Sequence, residues 1–581
     1  MRIIAAALAA ALISAPTFSA DRPPNFVILL VDDMAFADIG AYGGEARTPN
    51  IDMLAARGAM FTQYHTSPLC SPSRAMLLTG IDNHRTGVAT IPETLPAGQV
   101  GKKGYSMHFE PGVDTVAVRL KSAGYRTYMS GKWHLGQGPG DLPNGHGFDH
   151  SLALDASGAD NWQQKPYMPY YAHADWFEDG KPVQLPENFY SSQLLVDHMI
   201  DYLKKDQENP APFFAYVPFQ ALHIPVQAPR EFTEHYAHTY DGGWDALREK
   251  RWKRAKELHL IPADAELPPA NDKLRKWDAM GADEKAMFSK SMAVYAGMTE
   301  AMDVNIGRLI AYLKEAGQYD NTIFIVTSDN GPEPSDPIAQ TGFSTWMSQN
   351  GYERKLENLG EKGSMNYIGP EWANAAASPD RLFKFHSAEG GLRVPLIVAG
   401  PGVTQGQVNS LSFVTDLTPT IEDFAGIDAS KWNGPVPITG KSLAPVLRGQ
   451  SDRTYAEDTP VGIEVGGNSA LFKGDYKITH VTLPWGDAKW HLYHLSEDPG
   501  ETKDLATQDP ERFKAMLADY DAYAKQMGVL ELPDDFNPHT QVAINALEKQ
   551  VQFFRWRLLA AGVTIVLVVF WLWRRRRARA S

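Results

Sequence analysis

Four short runs of this chain are β-rich and largely apolar, and each leads into residues able to do chemistry. Residues 26–31 run into Asp32 and Asp33, and 125–129 into Ser130-Gly131-Lys132-Trp133-His134. Residues 213–217 lead to Leu222-His223-Ile224-Pro225, and 322–327 to Ser328-Asp329-Asn330-Gly331. Strands without polar alternation are buried on both faces, which predicts an α/β fold with a large, mostly parallel sheet sandwiched by helices. Residues 293–316 carry the periodicity of one covering helix. In open sheets of this class ligands bind beyond the carboxyl ends of the strands, so four polar clusters in that position point to one shared site.

The acidic members suggest a divalent cation. Asp32, Asp33, Asp329 and Asn330 offer only oxygen ligands, a set that suits Ca²⁺ or Mg²⁺ and not zinc. One acidic pair after a strand is ordinary turn chemistry. Two pairs, each closing a buried strand, would repel one another without a cation between them. Lys132 adds a fixed positive charge, and His134 and His223 add groups that titrate near neutrality.

Cys70 is the single cysteine of 581 residues, so an internal disulfide is excluded. It follows a polar turn (His65-Thr66-Ser67-Pro68) and opens a segment of helical character, which aims backbone N–H groups at any anion it meets. Arg74 lies one helical turn on and can face the same spot. A lone cysteine is otherwise most often a small buried hydrophobe.

The spacing Cys70-x-Pro72-x-Arg74, followed by Leu77-Leu78-Thr79-Gly80, resembles the modification signature of the type I sulfatases. Gly131-Lys-Trp-His-Leu-Gly136 resembles that family's second signature. Lys384, ahead of Glu389-Gly390-Gly391-Leu392-Arg393-Val394-Pro395, matches its Lys-x4-Glu-Gly-Gly-x-Arg-x-Pro pattern. The phrases Arg381-Leu-Phe-Lys384 and Pro370-Glu-Trp-Ala-Asn-Ala look like the bacterial arylsulfatase branch, and the likeness runs from about residue 24 to 530. It implies an alkaline-phosphatase-like fold and oxidation of Cys70 to formylglycine by a formylglycine-generating enzyme, the hydrated aldehyde being the nucleophile. It further implies Asp32, Asp33, Asp329 and Asn330 as metal ligands, with modified residue 70 a further one. The metal is usually calcium, so Ca²⁺ is favoured over Mg²⁺. Arg74, Lys132 and Lys384 would hold the sulfate, His223 would protonate the leaving oxygen, and His134 would act as base for sulfate release. His386 lies inside the third motif without an assigned role. The expected enzyme is a sulfuric ester hydrolase of arylsulfatase type. A phosphonate or phosphate ester hydrolase on the same fold is the nearest alternative, and a catalytically silent ligand-binding protein with unmodified Cys70 a third. Aromatics at 162–176 (Trp162, Tyr167, Tyr170, Tyr171, Trp176) suit an aryl pocket or simple packing equally.

The ends carry targeting information. Arg2, the apolar run 3–13 and small residues near 17–20 describe a secretory signal peptide over 1–20, with export to the periplasmic side of the inner membrane. The sixteen charge-free residues 558–573, followed by Arg574 to Arg577 and Arg579, predict a transmembrane helix over 553–573 and a cytoplasmic basic tail over 574–581. Between them the reading places a catalytic domain over 21–445, a smaller C-terminal α+β domain over 446–533 and a short, partly helical tether over 534–552. The charged stretch 248–257 reads as a solvated helical insertion. A net charge of −14 argues against nucleic acid as a partner.

Overall fold

The computed structural model describes residues 22–428 and 434–578. The expected signal peptide and the last residues of the basic tail lie outside them.

The apolar runs become the middle of one sheet. Strands β1 (Asn25–Val31), β2 (Arg126–Lys132), β3 (Phe213–Pro218) and β4 (Thr322–Ser328) are buried almost throughout. They lie side by side and parallel in the order β4-β1-β3-β2. His150–Leu154 extends this parallel block beyond β2, while Leu396–Ala399 runs antiparallel beside β4. Among the described residues the sheet has ten strands. Parallel neighbours put their carboxyl ends on one edge, so Asp32, Lys132, His223 and Asp329 share it. Helix α1 (Cys70–Thr79) is buried at every position and stops at Gly80, whose left-handed φ of 70° ends the turn.

A second, four-stranded antiparallel sheet follows: Pro460–Val465, Asn468–Lys473, Tyr476–His480 and Trp490–His494. Its inward residues Leu471, Ile478 and Leu492 pack on Met516 of the helix Pro510–Met527. Buried ions join the two sheets. Lys477 Nζ lies 2.7 Å from Glu389 and 2.8 Å from Glu501, and His65 Nε2 lies 2.9 Å from the other Glu389 oxygen. Glu389 of the third motif therefore clamps the small sheet to the loop that carries Lys384.

Two expectations change and a third is extended. The helix Gly243–Glu257 is not solvated all round, because Arg251 is buried and reaches Asp38 at 2.7 Å, Glu45 at 2.9 Å and Ala376 O at 2.8 Å. Residues 538–552 of the partly helical tether open helix α2 (Pro538–Ala578), and His539, Val542 and Ala546 line the pocket at the carboxyl edge of the sheet. The transmembrane helix expected over 553–573 is not supported, since among the described residues no helix is long and apolar enough to cross a membrane. The charge-free stretch of α2 is only sixteen residues, bounded by Arg557 and Arg574. The membrane anchor inferred from it is likewise unsupported.

His84 gives the junction between the sheets a pH dependence. Its ring contacts Asp82 at 3.2 Å and Glu464 of the small sheet at 2.7 Å. Burial alone would depress its pKa, but the two carboxylates outweigh burial and raise it to about 9. Stability from this contact is complete below the unfolded value near 6.5 and is lost as pH rises through about 9, by roughly 3 kcal/mol at most. Denaturant unfolding at pH 6 and pH 10 should show that loss in the parent chain and not in His84→Gln. Equal losses in both would remove His84 as the source.

Candidate active site

Four positions at the site have a backbone or steric reason for being what they are. Asp33 (φ 67°) and His134 (φ 57°) are left-handed, and Lys384 sits between left-handed Leu382 (φ 58°) and Phe385 (φ 76°). Such residues cost of order 1–3 kcal/mol each and persist where surrounding structure enforces them. Gly131 approaches β3 so closely that a Cβ would stand 1.9 Å from Pro218 O, so only glycine lets β2 deliver Lys132 to the edge. The acidic pairs are knitted together: Asp33 N donates to Asp329 Oδ1 at 3.2 Å, and Asp329 N to Val31 O at 3.2 Å.

Side chains from five segments then converge. Ligand atoms of Asp32, Asp33, Asp329 and Cys70 all lie within 4.8 Å of one another and are buried. Arg74 Nε and Nη2 reach Asp329 Oδ2 at 2.9 and 2.7 Å, and Nη1 donates to Lys132 O at 2.8 Å. Lys132 Nζ lies 2.5 Å from Asp32, while Lys384 Nζ bridges Asp33 at 2.7 Å and Glu333 at 2.8 Å. Burial opposes ionisation of Asp32, yet Lys132 and Arg74 hold it below the usual carboxylate range. Burial pushes Asp33 well up, aided by Asp32 and Glu333 and against Lys384. Burial also raises the Cys70 thiol, so the unmodified side chain is a neutral thiol near pH 7.

The residues fit a dication. Asp32 Oδ1, Asp33 Oδ2 and Asn330 Oδ1 are buried without a hydrogen-bond partner, the condition expected of oxygens kept for a metal. Four carboxylates (Asp32, Asp33, Asp329, Glu333) face three fixed cations (Arg74, Lys132, Lys384). A bound dication turns one excess negative charge into one excess positive charge, which suits an anionic ligand.

Burial pushes both histidines below their ordinary pKa. Burial lowers His134, opposed by Glu93, whose Oε1 lies 3.4 Å from Nε2. Burial opposes ionisation of Glu93 too, but His134, Tyr171 and Ser157 bring it down to about 2. Burial, Lys132 and Lys384 depress His223 well below its usual value. His223 Nδ1 donates to Ile224 O at 2.7 Å, which leaves the Nε2 lone pair facing Asp33 Oδ2 at 3.8 Å.

The structure thus brings together Asp32, Asp33, Cys70, Arg74, Lys132, His134, His223, Asp329, Asn330 and Lys384. His386 is not among them: it is buried, with Nδ1 turned to Phe383 O at 3.2 Å. Of the aromatics, Tyr167 lines the pocket edge-on to His223 at 5.1 Å, whereas Trp162 packs on Tyr190 and Trp176 sits in an outer strand. Glu333 and Glu93 were not singled out in the sequence. Glu333 had a signal, being an acid three residues beyond Asn330 in the same post-strand loop. Glu93 had none, because nothing local to Pro92-Glu93-Thr94 announces a partner in His134.

The Sulfatase family's sequence model matches residues 24–427. An uncharacterized sulfatase of Schizosaccharomyces pombe is 37% identical over 535 residues, spanning 89% of this chain and 96% of the relative. An arylsulfatase of Klebsiella aerogenes is 35% identical, spanning 77% and 96%. The crystal structure of Ps i-CgsB in complex with k-i-k-neocarrahexaose shares the fold with a TM-score of 0.61 at 22% identity, covering 91% of this chain and 99% of that one.

The unpartnered oxygens make a stability prediction. Calcium at about a hundred times its Kd should raise the unfolding free energy of the full chain by about 2.7 kcal/mol, and Asp329→Ala should lose that gain. A melting temperature that neither Ca²⁺ nor Mg²⁺ moves would rule out a resident dication at these oxygens.

Proposed function

The chain belongs to the sulfatase family, and from that membership we propose that it hydrolyses aryl sulfate monoesters, giving a phenol and sulfate, with formylglycine at position 70 and a bound Ca²⁺. The observation that carries the reading is the setting of Cys70. It lies on the floor of a pocket beside Lys384, His134 and His223, while the outer walls include Ile91, Met168 and Phe343. An anion fits the floor and an apolar leaving group fits the walls.

Asp32, Asp33, Asp329 and Asn330 would hold the cation, whose charge would stabilise sulfate oxygens and acidify a hydroxyl nearby. Formylglycine at position 70 would supply, as its hydrate, the hydroxyl that attacks sulfur. Arg74, Lys132 and Lys384 bind the non-bridging sulfate oxygens and stabilise the charge that grows on them. Asp33 and Glu333 keep Lys384 charged and aimed. The proton for the departing phenol oxygen comes from His223 Nε2, which must first gain it. An arriving anion favours that gain by offsetting Lys132 and Lys384. His134, neutral and steadied by Glu93, accepts a proton at the release of sulfate. The reading also keeps the enzyme exported, on Arg2 and the apolar run 3–13.

The test is direct. Full-length protein from a host with a formylglycine-generating enzyme should yield a tryptic peptide 58–74 about 18 Da lighter than the thiol form. It should also release 4-nitrophenol from 4-nitrophenyl sulfate far faster than from 4-nitrophenyl phosphate. Lys384→Ala should lower kcat/KM by about a hundredfold or more. Preference for the phosphate ester, or for N-acetylglucosamine 6-sulfate over the aryl ester, would overturn the substrate assignment.

A further inference from the structure

The pocket in front of Cys70 has a roof that comes from the far end of the chain. His539, Val542 and Ala546 line it together with Cys70, His134, His223 and Lys384. Positions 539, 542 and 546 recur at helical spacing, so one face of α2 looks into the pocket. The contact is latched. Asn545 Nδ2 donates to both Glu93 O and Leu95 O at 2.9 Å, and Gln550 Nε2 donates to Pro169 O. The His539 ring packs on Phe385 with centroids 4.5 Å apart, next to Lys384. The segment leading into the helix is pinned as well: Leu530 N donates to Tyr105 Oη at 2.9 Å, and Gln99 Nε2 to Leu530 O at 3.2 Å.

We propose that residues 538–552 form the leaving-group wall of the site, with Val542 and Ala546 as specificity-determining residues and Asn545 as the latch that holds them in place. The proposal rests on the sulfatase reading above and deepens it by naming what limits the alcohol half of the substrate. Two physical facts drive it. First, Val542 and Ala546 present only methyl groups to the pocket that holds Cys70, which Ile91, Met168 and Phe343 also line. A phenyl ring buries well against these two side chains, whereas they offer a sugar hydroxyl no partner. Second, Asn545 ties the wall to the backbone of the residue whose carboxylate faces His134. The wall and the base are therefore positioned by one contact, and a loosened latch disturbs both.

Binding to the full chain carrying unmodified Cys70, with calcium present, reads the wall without turnover. Titration calorimetry would use three probes: 4-nitrophenyl sulfate, inorganic sulfate and 4-nitrophenol. The parent chain should bind the aryl sulfate at least tenfold more tightly than inorganic sulfate. Ala546→Trp, which fills the pocket, and Val542→Asn, which sets an unpaired amide in its wall, should each erase that advantage while leaving the sulfate Kd within twofold. Asn545→Ala should weaken aryl sulfate binding severalfold by the same comparison. If both wall variants keep the parent's aryl-to-sulfate ratio, the wall assignment is wrong. If the parent binds neither inorganic sulfate nor the aryl sulfate, the assignment of Arg74, Lys132 and Lys384 to the sulfate fails instead, and the loss or retention of 4-nitrophenol binding in the variants still decides the wall.

Discussion

Four carboxylates buried at one edge of a parallel sheet are the constraint around which the rest of this protein is arranged. Uncompensated, they would not remain ionised, and Asp33 shows the strain most plainly because burial and its acidic neighbours all push its pKa upward. Arg74, Lys132 and Lys384 come from a helix, a strand end and a distant loop to offset them, each at hydrogen-bond distance from a different carboxylate. Buried ion pairs of this kind add little to stability in themselves, since desolvation consumes the Coulombic gain. What they provide is a fixed electric field, and its sign at the pocket floor turns on whether a dication joins the three cations.

Holding that field in place falls to parts of the chain with no chemistry of their own. Gly131 lets β2 come close enough to β3 for Lys132 to reach Asp32. Glu389, held by Lys477 and His65, fixes the loop that returns Lys384 to the edge. The small antiparallel sheet thus acts on the site through one buried carboxylate, although none of its strands lines the pocket floor. Helix α2 closes the arrangement from outside and anchors to the same short segment that carries Glu93.

Much of this was legible in the sequence because the information was local. Unbroken apolar runs state that a strand is buried on both faces, and the polar residues after each run state where it ends. The strands, the shared edge and ten of the site positions follow from that pattern together with three motifs. The parts that were not legible are relations between distant segments. Arg251 reads as one charge in a charged run, and only the fold reveals Asp38 and Glu45 waiting beneath it. Glu93 and His134 lie 41 residues apart with no periodicity to join them. Residues 538–552 look like a tether because their partners, the pocket and the backbone of Glu93 and Leu95, lie far away in sequence. The span expected over 553–573 rests on a charge-free run of sixteen residues, and no helix among the described residues is long and apolar enough to cross a membrane.

The same electrostatics explain why position 70 would need to be more than a cysteine for the proposed reaction. A thiol reacts as its thiolate, and burial among Asp32, Asp33 and Asp329 removes the thiolate at neutral pH. Lys132 and Lys384 act in the opposite direction but do not reverse the shift. The helix N-terminus at Cys70 favours an anion there, as do the cations, yet the carboxylates that would recruit a metal disfavour one on sulfur. An oxygen nucleophile escapes this conflict, because a hard oxygen beside a hard dication can be deprotonated by the charge that those carboxylates are there to hold. The acidic cluster is therefore hostile to the encoded thiol and would be favourable to the hydrated aldehyde proposed at position 70.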